Sequence, residues 1–178
     1  MILLEDLMAV VVDKMRTVDQ VPTTVDDTTE QPPHYLYGHP HVVNQRLIER
    51  TQAALEKYPL VWLQLDYSGQ VFNGMIHYSA NIVLLEYTDR NYTEEERTEL
   101  VFRPKLVPLY ERFFTALRKV GFAWKGAQDK PEHTFVHMGL YGSKIAGLQS
   151  SNKENFFTDP LDAIGIFDLK INYRNKKC

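Results

Sequence analysis

Met75-Ile76-His77-Tyr78-Ser79-Ala80-Asn81-Ile82-Val83-Leu84-Leu85-Glu86-Tyr87 alternates along its length. Ile76, Tyr78, Ala80, Ile82 and Leu84 fall on one face, and His77, Ser79 and Asn81 on the other. That is the period-two pattern of a strand with one buried face. Thr93-Glu94-Glu95-Glu96 follows, a threonine with a glutamate three residues on. In such a capping box the hydroxyl takes an orphan backbone N–H and the carboxylate reaches back to the cap. Acids in the first turn also suit the positive end of the helix dipole. Leu106, Leu109, Phe113, Leu117 and Val120 then recur at helical spacing, and Gly121 can close the helix in a left-handed cap. Residues 75–121 therefore read as a sheet covered by a helix.

Working outward, Pro104 and Pro108 interrupt this helix. A proline in a helix interior costs about 3 kcal/mol and kinks it. The pattern predicts a short helix near 94–103, a bend, and a longer helix over 105–120, with kink and break both open. Upstream, Leu60-Val61-Trp62-Leu63-Gln64-Leu65 is a nearly continuous apolar run of strand length, which predicts a central strand. Ser68-Gly69-Gln70 and Asn73-Gly74 supply turn chemistry, so the 75–87 strand returns antiparallel to it. Before Tyr58-Pro59, a helix over about 41–57 starts at Pro40 and turns Val43, Leu47, Ala54 and Leu55 inward. His34-Tyr35-Leu36-Tyr37 is a short strand closed by Gly38.

The first helix spans about 2–16, with Leu4, Leu7, Met8, Val11 and Met15 on one face. Ile2, Leu3, Val10 and Val12 lie partly off that face, so the helix is apolar over most of its girth. Such a helix is usually buried on more than one side. Downstream, 122–131 reads as a loop and Thr134–Met138 as a strand. Asp159-Pro160 introduces a last strand, in which Phe167, Leu169, Ile171 and Tyr173 alternate with Asp168, Lys170, Asn172 and Arg174. The fold class that results is α+β: an antiparallel sheet of about five strands with helices packed mainly on one face. Two long polar loops, at about 17–33 and 142–157, have no apolar period and read as contact arms.

Composition bounds the rest. At 178 residues, with 44% hydrophobic and 24% charged residues, the chain suits a single globular domain, 1–178. Its formal charge of −3 argues against a chain built to coat nucleic acid. Cys178 is the only cysteine, which leaves no intrachain disulfide and no cysteine-based metal site. The apolar start is interrupted by Glu5 and Asp6 and has no basic region before it, so it reads as neither a signal peptide nor a membrane span.

Linear motifs for catalysis are weak. His133 and His137 stand four apart, a zinc spacing on a helix, but on a strand the two lie about 13 Å apart. His39-Pro40-His41, with His34 nearby, is denser, yet no acid or cysteine cluster near it in sequence completes a ligand set. His77-Tyr78-Ser79 has half of a paired His-x-Ser phosphoesterase pattern, and the second half is missing. Gly139-Leu140-Tyr141-Gly142-Ser143-Lys144 departs from the full phosphate-loop pattern and reads as a glycine-rich turn. Asp159-Pro160-Leu161-Asp162 places two acids together, which reads as a solvated strand or helix start with one of the two capping or turning the chain. The expectation is no catalytic residue, no cofactor and no stoichiometric metal.

Several stretches together carry a family likeness: Tyr35-Leu36-Tyr37-Gly38-His39-Pro40, Lys57-Tyr58-Pro59-Leu60-Val61-Trp62-Leu63, and Ile82-Val83-Leu84 with Thr88-Asp89. Phe102-Arg103-Pro104 running into Leu106-Val107-Pro108-Leu109-Tyr110 adds to them, as does Phe156-Phe157 with Asp159-Pro160-Leu161-Asp162-Ala163-Ile164. The series resembles small neck, ring or tail-completion proteins of tailed phages of Bacteroides-like bacteria, crAss-like phages included. The resemblance implies a tail-terminator-like subunit of the virion, assembled in the host bacterial cytoplasm. Its partners would be copies of itself in a ring and other neck, portal or tail proteins. DNA would pass through the lumen without sequence-specific binding, and no membrane is involved. Six and twelve copies are both compatible. On this reading Leu3 and Val10, one helical face away from Leu4, Leu7 and Val11, are the expected subunit-interface residues. The alternative from another class is a small cytoplasmic enzyme or binding module with a scattered histidine site.

Overall fold

Residues 75–87 form the strand that the alternation predicts, and the rest of the molecule is built against it. The computed structural model describes residues 3–17, 31–125, 129–142 and 157–174. Its elements run α1 (Leu4–Met15), β1 (His34–Tyr37), α2 (Pro40–Gln52), β2 (Leu60–Leu63), β3 (Ser68–Phe72), β4 (Met75–Tyr87) and α3 (Glu94–Arg97). A π-helical segment (Thr98–Leu106), α4 (Val107–Val120), β5 (Phe122–Ala123), β6 (Thr134–Met138) and β7 (Leu161–Arg174) follow. The expected arms at 17–33 and 142–157 lie almost wholly outside the described residues.

The sheet is ordered β1-β2-β4-β7-β5, with β3 also on β4 and β6 also on β7. It curls into a half-barrel with helices packed against it, so the α+β expectation holds. One pairing departs from an all-antiparallel sheet. β1 and β2 are parallel, His34 opposite Leu60 and Tyr37 opposite Leu63. Parallel neighbours need a crossover, and α2 provides it. Because the crossover must lie over a face, α2 packs Val43 and Leu47 on the side of the sheet away from the other helices.

The larger core lies under α1, the π segment and α4. It takes Leu4, Leu7, Met8, Val11, Val12 and Met15 from α1 and Phe113, Phe114 and Leu117 from α4. The sheet answers with Tyr78, Ala80, Ile82 and Leu84 of β4, the face expected from the alternation. α1 has no side-chain cap at its start, so burial rather than capping holds it. The smaller core, under α2, centres on Trp62, whose indole N–H donates to the Gly38 carbonyl at 2.9 Å and whose ring meets Phe157 edge-on.

The capping box forms as read: Thr93 Oγ1 accepts from the Glu96 N–H, and Glu96 accepts from the Thr93 N–H. Pro104 neither breaks nor ends the helix. It sits in the π segment, where the wider ladder accommodates the missing N–H. Pro108 is the second residue of α4, which runs on from the π segment. The Val107 N–H still donates to the Phe102 carbonyl, five residues back, so this proline falls where the wide ladder gives way to the α ladder. Gly121 closes α4 at φ 103°, left-handed as expected.

Three further expectations need correction. Ser68-Gly69-Gln70 is not a turn but the start of β3, which pairs with the first half of β4 through the two-residue Asn73-Gly74 turn. Ala54 and Leu55 are exposed, because α2 stops at Gln52 and Ala54 takes a positive φ. Phe167 does not share a face with Leu169 and Ile171. Between Ala80/Leu169 and Ile82/Ile166 the register shifts, and Phe167 and Asp168 together oppose Asn81. Asp168 is left-handed at φ 53°, and its N–H donates to Asn81 Oδ1. The bulge inverts the alternation, so Ile164 and Ile166 join Leu169 and Ile171 in the larger core. Phe167 instead lies over Gly165, where an added Cβ would come within 2.4 Å of its ring.

Candidate assembly surface

The histidines lie in several separate surroundings. His34 Nδ1 accepts from Arg50 Nη2 at 3.1 Å. Burial, then the Arg50 and Arg16 guanidinium groups, hold its pKa below the usual histidine range. His39 caps α2 through Nδ1 and stacks on His41, ring centres 5.2 Å apart. His133 and His137 flank Phe135 on β6 and its approach, all three reaching the helix above: His133 and Phe135 to Tyr110, and His137 to Phe102. The Pro131 carbonyl accepts from His133 Nδ1–H at 2.6 Å, which leaves Nε2 to accept from the Tyr110 hydroxyl, also at 2.6 Å. Burial, then the Glu111 carboxylate, push the Tyr110 phenol up. Among the described residues no group of three or more histidines, cysteines or acids is placed to hold a metal ion.

The buried charges tie helix to sheet. Arg97 lies under the start of the long helix and donates to Asp162 Oδ1 at 2.9 Å, to Thr88 Oγ1 and to the Asp89 carbonyl. The Leu140 N–H also donates to Asp162 Oδ1. Glu86, cross-strand from Asp162, pairs with Lys105 at 3.4 Å. Burial pushes the Glu86 carboxyl up, with Lys105 pulling the other way. At the far end, the Tyr67 hydroxyl donates to Glu5 and so joins α1 to the loop before β3. Arg97, Asp162 Oδ1, Glu86, Lys105 and Glu5 are thus engaged by neighbours in the fold, while Asp162 Oδ2 is buried without a hydrogen-bond partner among the described residues.

Several large apolar side chains stay exposed on the surface. α1 buries one side completely, while Val10 (54%) and Leu3 (43%), the residue before its first turn, are exposed. Val12, also expected off the main face, is buried, and Ile2 lies outside the described residues. On β3, Val71 (74%) and Phe72 (65%) stand in solvent. On β6, Phe135 (59%) and Val136 do the same. The β3 pair was not foreseen. Val71-Phe72-Asn73-Gly74-Met75-Ile76 carried the signal, since Asn-Gly between apolar pairs is a strong short hairpin cue. A shallow hollow near the bulge, lined by Asp66, Tyr67, Ser68, Ser79, Asn81 and Asp168, is polar and open. No helix among the described residues is long and apolar enough to cross a membrane. No protein-family model matches the chain, and no curated protein matches it.

Proposed function

We propose that this chain is a structural subunit that assembles with copies of itself into a ring of the phage neck or tail, between portal and tail. The observation that carries the assembly is α1. Six of its apolar residues are buried in the subunit's own core, while Leu3 and Val10 remain outside it. Leu3 and Val10 stand seven residues apart, two turns along one side of the helix, and a contiguous exposed apolar patch on such a side is the usual mark of a contact with another chain. The resemblance of the stretches quoted above supplies the virion, with partners among the neck, portal and tail proteins and DNA passing through the lumen. A ring requires head-to-tail contacts between unlike surfaces of successive copies.

Leu3→Glu and Val10→Glu, singly and together, test this reading. The subunit should keep its thermal unfolding midpoint, because neither side chain contributes to the core. The ring should weaken or disappear by native mass measurement or sedimentation, because an unpaired charge at an interface is costly. Unchanged assembly would remove α1 from the interface. Unfolding would place both of its faces in one core.

A further inference from the structure

We infer that successive copies join edge to edge, β6 of one subunit pairing antiparallel with β3 of the next, so that the sheets run on around the ring. This deepens the ring reading and rests on it. Both strands have five residues, and each has one side paired within the sheet. Along the other side their backbone groups have no strand neighbour among the described residues. Neither Ser68-Gly69-Gln70-Val71-Phe72 nor Thr134-Phe135-Val136-His137-Met138 contains a lysine, an acid or a proline. Those are the devices that usually protect an open edge from pairing, and their absence leaves both edges competent to pair.

Direction is compatible. β3 is antiparallel to β4, β4 to β7, and β7 to β6. β6 therefore runs with β4, and β3 runs against it. Two copies in the same orientation, side by side, bring β6 against an oppositely running β3.

Register agrees as well. Aligned end to end, Thr134 opposes Phe72, Phe135 opposes Val71, Val136 opposes Gln70, and Met138 opposes Ser68. Phe135 pairs with Ile166 in its own sheet, and Val71 with Ile76, so both belong to the larger-core face. The other face then brings Val136 diagonally against Phe72. Exposed apolar residues meet each other on both faces; a one-residue slip would set Phe135 opposite Phe72, but would need the larger-core faces of the two copies to lie on opposite sides of the joined sheet. A symmetric β3–β3 pairing centred on Gln70 instead sets Val71 against Gly69 and Phe72 against Ser68.

The stagger favours closure. Gln70 stands level with His77 of β4, whereas Val136 stands level, through Gly165, with Val83. That offset is about 20 Å along the strands, at the usual rise per residue. From β3 of one copy to β3 of the next is four strand spacings, about 19 Å. The strands would incline roughly 45° to the ring axis, within the range by which closed barrels tilt theirs.

Cysteine pairing decides it. In the full chain with Cys178→Ser, Gln70→Cys and Val136→Cys are made singly and together. Each position lies at the centre of its strand, so it opposes the other in the unlike pairing and itself in a symmetric one. Mild oxidation of the assembled double variant should give a disulfide-linked ladder of subunits ending at the ring's copy number, and the single variants should stay unlinked. Dimers from Val136→Cys alone, or from Gln70→Cys alone, overturn the proposal in favour of a symmetric contact. A closed oligomer by native mass with no ladder overturns it too, while leaving the ring reading standing. A Cys178→Ser parent that is monomeric at all concentrations removes both. Val71→Lys gives an independent reading: assembly should fall at least tenfold with the thermal midpoint unchanged, and unimpaired assembly counts against the edge.

Discussion

The two halves of β4 belong to one strand and live in different surroundings. Ile82, Val83, Leu84 and Leu85 are buried on both faces, between β2 and β7 and between the two cores. Met75 to Ser79 are covered on one face only and are bordered by β3, whose five residues are all exposed. His77 and Ser79 turn to the uncovered face where, further along the strand, Val83 and Leu85 are buried under α2 and Trp62. Chain length explains the difference. α2 reaches over β1, β2 and the second half of β4, and no described helix covers the same side of the first half. One half of the strand is committed to holding the subunit together, and the other stays open on a face and at an edge. A partner can pair with the second without disturbing the first.

This division fails if the open half is an ornament on a self-sufficient centre. Truncation before Phe167 tests it, since it leaves Leu161–Ile166 beside the buried half of β4 and removes Leu169–Arg174 from beside the open half. It also takes the partner of β5. Leu169 and Ile171 are fully buried, and each contributes about 1.5–3 kcal/mol. With the lost ladder, the deficit is comparable to a domain's whole stability of about 5–15 kcal/mol. The expected product is insoluble, or shows no cooperative melting by circular dichroism. A soluble truncation with a sigmoidal transition would show that the centre folds alone.

At the opposite end of β4 the charged layer holds the long helix down. Arg97→Ala removes the partner of a fully buried carboxylate and four hydrogen bonds, to Asp162, Thr88 and the Asp89 and Arg90 carbonyls. Breaking a buried pair from one side costs about 3–5 kcal/mol. Urea denaturation should show that loss, and a change below about 0.5 kcal/mol, the range of ordinary surface substitutions, would mean that Asp162 is solvated after all.

Much of this architecture was legible, for identifiable reasons. The alternation of 76–84, the Thr93 box and the Gly121 cap are local signals with local causes, and each appears where it was read. The parallel β1–β2 pair was not legible, because the sequence of a crossover helix does not say on which edge the chain returns. Nor was the inversion at Phe167. The alternation from Leu169 to Arg174 is genuine, but Phe167 falls out of it, because the phase relative to Ile164 and Ile166 depends on a single extra residue at the bulge. The π segment was hidden behind Pro104, which helix rules read as a kink or a break and which a wider helical turn absorbs. The surface was half legible. Leu3 and Val10 stood out by helical phase, whereas β3 was concealed by Ser68-Gly69-Gln70, a triplet that looks like a turn and serves as an exposed edge.

The smallest effect expected concerns Glu86, the second acid of the charged layer. Asp162 faces a guanidinium that is itself buried, whereas Glu86 faces Lys105, whose side chain is about half in solvent. Water screens that attraction, and burial then dominates, pushing the Glu86 carboxyl up. An acid with a raised folded-state pKa favours folding in its neutral form. Its contribution is full below the unfolded-state value and is lost as pH rises through the folded-state value. At neutral pH the ionised Glu86 is therefore a mild liability. Glu86→Gln keeps the shape and removes the charge, so the variant should match or slightly exceed the parent in stability at pH 7. Its advantage should vanish on acidification through the ordinary glutamate range, where the parent's carboxyl is neutral too. Thermal melts of both proteins across that range read the difference directly. A glutamine variant less stable at neutral pH, with the deficit closing on acidification, would show that the Lys105 pairing outweighs burial. The two acids would then act alike, as anchors of the helix at the committed end of β4.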